Sequence, residues 1–274
     1  MITAQVEEYV AAKTWEEVRF HPGMNVLSGH WVLVEKPERK KARWVIHGNK
    51  QLKGQDYNDI YTAAARSGSI RLLLAITAIE DLETGQLDVI NAFLNAGLAE
   101  EVYMTLPHGY GKKGIVCRVL KAMFSLYQSP REWWQDISKK LKELGFKQCL
   151  GDHSVYVNKE GVIILLYVDN LALFAQSKRA IAQAKIQLLN AYKMRNIGDL
   201  KTFTGIQVLK LPGQRVFIYQ EDYTMTILKK YRFLSDKAIR VPFNDKVVLK
   251  PRDPLDLYSA ATIKQYQEWI RSFR

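Results

Sequence analysis

Residues 162–175 read Val-Ile-Ile-Leu-Leu-Tyr-Val-Asp-Asn-Leu-Ala-Leu-Phe-Ala, two short apolar runs interrupted only by Asp169-Asn170. Such a pair makes a tight turn readily, so the stretch predicts a buried hairpin with a carboxylate at its tip. Apolar residues along both arms need cover from other elements. That puts Asp169 on a rigid support where strand ends meet a cleft, a place suited to a metal-binding acid. A second acid on the same edge is the feature to look for.

Working outward, Ile181, Lys185, Leu188 and Tyr192 mark a helix that stops near Gly198-Asp199, and a strand follows at 203–208. Pro212-Gly213 turns it back into Val216–Tyr219, a helix runs from Glu221 to Phe233, and the remaining tail is polar without a strong pattern. Upstream, Ser129-Pro130-Arg131-Glu132 reads as a helix start, with serine as cap, proline first and glutamate returning three residues later. Trp133, Ile137, Leu141 and Leu144 recur at helical spacing up to Gly145, and the Trp133-Trp134 pair is read as core. Before it, Gln86–Val89 is a short strand carrying Asp88, preceded by a helix capped by Ser69 that runs through about Glu83 and is stopped by Gly85. At the start, residues 1–20 read as an amphipathic lead-in helix. Trp31–Val34 and Ala42–Ile46 then read as strands joined by a charged loop, Glu35–Lys40, a strongly basic hairpin.

From residue 86 to 208 the order is strand, helix, strand, strand, helix, strand, the split βαβ, ferredoxin-like pattern. With right-handed crossovers, the end of the first strand and the tip of the central hairpin fall on the same edge. Asp88 and Asp169 should therefore converge. Two carboxylates beside a basic hairpin suit Mg²⁺ or Mn²⁺ held by few protein oxygens plus substrate phosphates, an arrangement that serves phosphoryl transfer.

Forty basic against twenty-eight acidic residues give a net charge of +12, which favours a polyanionic partner, nucleic acid before membrane. Two cysteines among 274 residues exclude a disulfide framework. No apolar run reaches the length of about 20 residues needed to span a bilayer and no signal peptide opens the chain, so a soluble intracellular protein, cytoplasmic or nuclear, is expected. Gly109-x-Gly111-x-x-Gly114 matches a dinucleotide pattern literally, but no strand precedes it and no helix follows, so it reads as a turn. A zinc module from His108, Cys117, Cys149 and His153 fits no compact ligand spacing.

Several stretches together resemble the reverse transcriptase of copia-type LTR retrotransposons. They are Lys41–Val45, Gln86–Asn95 with Glu101–Met104, Gln128–Trp133, Leu166–Asp169 and Phe203–Ile206. The resemblance is collinear over roughly residues 15–268. It implies an α+β right-hand polymerase: a lead-in at 1–25, fingers at 26–68, a ferredoxin-like palm at 69–211, and at 212–274 a primer-grip hairpin with a truncated thumb or connection. It implies RNA-directed DNA polymerase activity, with Asp88 and Asp169 holding the metals and Asn170 beside them in the catalytic turn. It further implies Lys41 and Arg43 on the incoming triphosphate, Phe93 as the aromatic gate against a ribose 2′-hydroxyl, and Gln128 near the nucleotide. Tyr167, Ser129, Pro130 and Arg131 would meet the nucleic acid. The implied partners are an RNA or DNA template with primer and deoxynucleoside triphosphates. The chain departs from the family pattern at Asn170, where the family has a second aspartate, at Ser125 in place of glycine and at Tyr127 in place of lysine. A catalytically inactive relic that only binds nucleic acid is the alternative these departures keep open.

Overall fold

The computed structural model describes residues 1–36, 39–233 and 259–272. From the N-terminus come α1 (Ile2–Ala11), β1 (Trp15–Arg19), β2 (Val26–Leu27), the hairpin of β3 (Gly29–Lys36) and β4 (Arg39–Ile46), and α2 (Ser67–Ile79). Next are β5 (Glu83–Val89), β6 (Gly97–Met104), β7 (Ile115–Lys121), α3 (Ser129–Glu143), β8 (Lys147–Gln148), β9 (Val155–Val157), β10 (Ile163–Tyr167) and β11 (Asn170–Ala175). Then follow α4 (Lys178–Ala191), β12 (Met194–Gly198), β13 (Thr202–Phe203), β14 (Ile206–Leu211), β15 (Arg215–Tyr219), α5 (Glu221–Lys230) and α6 (Ala260–Ser272). The chain divides into a larger unit, Met1–Thr204 with Val208–Ile218, and a smaller one, Gly205–Gln207 with Tyr219–Arg274.

The larger unit is a mixed α/β body built on a six-stranded sheet in the order β12-β5-β11-β10-β9-β8. Its first four members are paired antiparallel and follow the fourth-first-third-second order of a split βαβ unit, with α3 and α4 in the connections. Side chains alternate across a strand, so residues two apart share a face. Leu87 and Val89, Ile164 and Leu166, and Leu171 and Leu173 pack with Trp133, Ile137 and Leu141 of α3 and with Ile181, Ala184 and Leu188 of α4. The opposite face of the same row therefore carries Asp88, Asn170 and Arg195. Gly85 lies on the helix side of β5. A Cβ there would come within 2.8 Å of Ile181 Cγ2 and 2.7 Å of Lys185 Cε, so the missing side chain lets α4 approach closely. A second cluster joins the four-stranded sheet β1-β7-β6-β2 to the β3–β4 hairpin, with Tyr9, Trp44, Met104 and Cys117 at its centre. In the smaller unit the Tyr231 ring meets Trp269 edge-on at 6.0 Å, which pairs α5 with α6.

Several expectations need correction. The lead-in is helical only to Ala11. Lys13 has φ +51, and Trp15–Arg19 forms an edge strand paired with β7, because ladder bonds outweigh a helical spacing that ran on by coincidence. The α2 helix starts at Ser67, and the Ser69 hydroxyl donates to Asp152 at 2.5 Å instead of capping. It ends at Ile79, and Gly85 lies within β5. The β3–β4 ladder continues through Lys36 and Arg39 where a loop was expected; residues 37–38 lie outside the described residues. The α3 helix has Gln128 as its N-cap with no side-chain cap bond, because the Ser129 hydroxyl donates into the core, to the Met123 carbonyl at 2.6 Å. The central turn sits one residue earlier than expected: Tyr167 pairs with Asn170, leaving Val168 and Asp169 at the tip. The fourth strand of the sheet is Met194–Gly198, not 203–208, where Phe203 and Ile206–Val208 belong to the separate sheet β13-β14-β15 and a turn lies between them. The tail read as patternless contains α6, while residues 234–258 lie outside the described residues.

Candidate active site

A cleft of about 520 Å³ opens at the edge where β5 ends and the β10–β11 hairpin turns; its lining includes Asp88, Asp169, Lys41, Arg43, Phe93 and Arg195. Cross-strand register explains the meeting of the acids. Asn170 is paired with Asp88, and Asp88 in turn with Arg195, so the three residues form one row across β11, β5 and β12. The Val89 N–H donates to the Asp169 carbonyl at 2.7 Å, stitching the turn to the end of β5. From below, the Trp133 indole Nε1 donates to the Val168 carbonyl at 2.6 Å. Val168 itself has φ +54, a left-handed conformation that costs a β-branched residue energy and persists only where surroundings enforce it. These two hydrogen bonds supply that enforcement.

Burial pushes the Asp169 carboxyl above its ordinary value of 3.8, and the negative charge of Asp88 adds to the shift. The backbone N–H of Asp169, the Asn170 amide and Arg43 act in the other direction. Asn170 Nδ2 donates to Asp169 Oδ1 at 2.9 Å, so an uncharged donor stands where a second acid would repel. Asp88 Oδ2 lies 3.6 Å from Arg195 Nε.

The basic wall comes from β4. Ala42 and Trp44 are buried in the core, and the alternation turns Lys41 and Arg43 to the cleft. The Arg43 guanidinium carbon sits 5.0 Å over the Phe124 ring, and Phe124 meets Phe93 edge-on at 5.2 Å. Phe93 is thus braced by a ring that also carries the arginine. Asn91, at φ +52, donates its side-chain amide to Glu8 Oε1 at 2.6 Å, which ties α1 to the segment between Asp88 and Phe93.

The structure brings Asp88, Asp169, Lys41, Arg43 and Phe93 together, with Asn170 against Asp169. It does not bring the remaining candidates into the cleft lining. Gln128 is buried, its Nε2 donating to the Asp56 carbonyl at 2.8 Å and its Oε1 accepting from Gln51 Nε2 at 2.9 Å. Ser129 is buried as described above, and the Pro130 carbonyl accepts from Thr62 Oγ1 at 3.2 Å. Arg131 is ion-paired to Asp59 at 3.3 Å and to Glu132 at 2.7 Å. Tyr167 is exposed, with its ring edge-on to Phe203 at 6.4 Å. Sequence reasoning missed Arg195, Phe124 and Glu8. Arg195 would have followed from the correct fourth strand.

Ser125, one of the departures from the family pattern, has φ +74. Glycine holds this conformation without the clash that costs other residues about 1–2 kcal/mol. Ser125→Gly is expected to stabilise the fold by about 0.5–1 kcal/mol once the extra freedom of the unfolded chain is counted. A thermal melt measures this, and an unchanged or lower midpoint contradicts it.

Among the described residues no group of three or more His, Cys, Asp or Glu side chains is placed to hold a metal ion. Asp88 and Asp169 still fit a magnesium-type cation, which typically takes one or two carboxylates and completes its shell with water and substrate phosphate oxygens. No described helix is long and apolar enough to cross a membrane.

Residues 12–245 match the family described as "Reverse transcriptase (RNA-dependent DNA polymerase)". The retrovirus-related Pol polyprotein from transposon TNT 1-94 of Nicotiana tabacum is 31% identical over 84% of this chain and 18% of its own length. That from transposon RE2 of Arabidopsis thaliana is 29% identical over 98% of this chain and 20% of its own length. The chain thus spans about a fifth of these relatives. A solved foamy viral protease-reverse transcriptase, in complex with double-stranded DNA, is similar with a TM-score of 0.43 and 16% identity, covering 82% of this chain and 36% of that one.

Proposed function

The chain belongs to the reverse transcriptase family of copia-type retrotransposons, and from that premise we propose that it is an RNA-directed DNA polymerase domain performing template-directed nucleotidyl transfer. The observation that carries this is the pairing of Asn170 in β11 with Asp88 in β5, so that Asp169 and Asp88, remote along the chain, line one cleft with the basic residues of β4. In this reading residues 26–68 are the fingers, 69–211 the palm, and 212–274 the start of a thumb or connection. The substrates are deoxynucleoside triphosphates and a primer on an RNA or DNA template.

Asp88 and Asp169 would hold divalent cations, Mg²⁺ or Mn²⁺, which when bound would supply activation of the primer hydroxyl and neutralisation of the leaving phosphate. Lys41 and Arg43 offset triphosphate charge, and Arg43 is kept in place by its stacking on Phe124. Phe93, braced by Phe124, crowds the sugar edge and favours a deoxyribose. Gln128 acts from behind: its two buried hydrogen bonds fix the segment that leads into α3.

A second reading, a nucleic-acid binder without catalysis, is favoured by one observation: Asn170 contributes an amide donor to Asp169 where the family has an acid. Primer extension with Mg²⁺ and with Mn²⁺ separates the two. Asn170→Asp is expected to raise incorporation about tenfold by adding a charge to the cation site. Salt-sensitive nucleic-acid binding with no incorporation by either protein selects the second reading.

A further inference from the structure

Arg195 projects from an edge strand onto the same row as Asp88 and Asn170, and nothing in the family reading gives it a task. Its charge is permanent, because a guanidinium does not lose its proton in proteins. Its Nε lies 3.6 Å from Asp88 Oδ2, beyond a short hydrogen bond but well within Coulombic reach. The two partners differ in freedom: the side chain of Arg195 is 44% exposed and that of Asp88 only 24%. Four of the five β12 residues, all but Met194, are exposed, so the guanidinium has solvent to swing into while the carboxylate stays fixed.

We propose that Arg195 is a resident counter-ion of the cleft, a positioning residue that holds Asp88 and competes with a divalent cation for its carboxylate. The proposal rests on the reading of Asp88 and Asp169 as cation-binding acids. A cation bound to Asp88 sits about 2.1 Å from a carboxylate oxygen, which brings it within a few ångströms of the guanidinium. The two positive groups repel, so cation entry and displacement of Arg195 are linked. The neutral Asn170 sharpens the competition: its row holds one negative charge, and Arg195 already balances it. Once displaced, the guanidinium presents a fork suited to a phosphate, so a polyanion in the cleft draws Arg195 off Asp88 and favours the cation. Such coupling is reciprocal.

The test is Mn²⁺ binding by the full chain, followed by electron paramagnetic resonance, with Asp88→Ala defining binding outside the site. Arg195→Gln is expected to tighten Mn²⁺ about tenfold, the effect of removing one like charge a few ångströms from a dication in a largely solvated setting. Arg195→Lys keeps the charge and is expected to stay near wild type. A primer–template duplex is expected to tighten Mn²⁺ for wild type and to lose that effect in Arg195→Gln. Equal or weaker affinity in Arg195→Gln overturns the proposal, as does Arg195→Lys matching Arg195→Gln. Both results leave the cation site standing when Asn170→Asp binds Mn²⁺. If wild type, Arg195→Gln and Asn170→Asp all fail to bind above the Asp88→Ala background, the cation-site reading falls, and this proposal with it.

Discussion

Replacing Asp169 by asparagine is expected to cut incorporation at least about a thousandfold, roughly 4 kcal/mol of lost transition-state stabilisation, while the melting temperature holds or rises. The two halves of this expectation have one cause. Burial, with the charge of Asp88 behind it, lifts the Asp169 carboxyl above 3.8, so the folded chain holds that proton more tightly than the unfolded chain does. Stability from this group is therefore present at low pH, declines as pH rises through the window from the ordinary aspartate value to the raised one, and stays reduced above it. An amide of the same shape removes the penalty. The midpoint difference between variant and wild type should favour the variant at pH 7 and shrink on acidification toward pH 4. A variant that loses activity and also melts several degrees lower would mark Asp169 as a structural group.

Trp133→Ala is expected to have the largest effect on stability, about 3–5 kcal/mol, because it empties a fully packed site under the sheet. At about 2–4 °C per kcal/mol for a unit of this size, the midpoint should fall by roughly 10 °C. Trp133→Phe separates packing from the hydrogen bond. It fills most of the volume but cannot donate to the Val168 carbonyl, so a smaller stability loss should come with a disproportionate drop in incorporation as the Val168 conformation relaxes. Phenylalanine with wild-type incorporation would mean that the bond at 2.6 Å does not hold the turn.

The same tryptophan shows what the sequence could and could not convey. Its helical spacing with Ile137 and Leu141 announced a core helix, and the two apolar runs flanking Asp169-Asn170 announced the hairpin; together with element order they brought Asp88 and Asp169 to one edge. The turn was misplaced by one residue because Asp-Asn has turn chemistry of its own, whereas the real turn is imposed by the Tyr167–Asn170 pairing and by a bond from α3. β12 was overlooked because only Met194 in it is buried, and a polar edge strand does not alternate. Residues 203–208 look more like a strand and drew the assignment, which concealed Arg195. Gln128 was expected near the nucleotide and Ser129 at the nucleic acid, yet both are consumed by hydrogen bonds in the interior, and local pattern carries no mark of that. α6 was missed although Ile263, Tyr266, Trp269 and Ile270 recur at helical spacing, because the polar residues around them masked the pattern.

The sheet order has a consequence for how such a chain is made. β5 emerges from the ribosome early yet sits between β11 and β12, which are synthesised much later, so its apolar residues and both its hydrogen-bonding edges await partners throughout that interval. Long sequence separation between contacting segments slows folding and lengthens exposure to aggregation. A nascent chain halted before Met194 would therefore be a sticky, chaperone-dependent species instead of a weakened polymerase. Frameshifts upstream of Met194 should register as lost solubility before they register as lost catalysis.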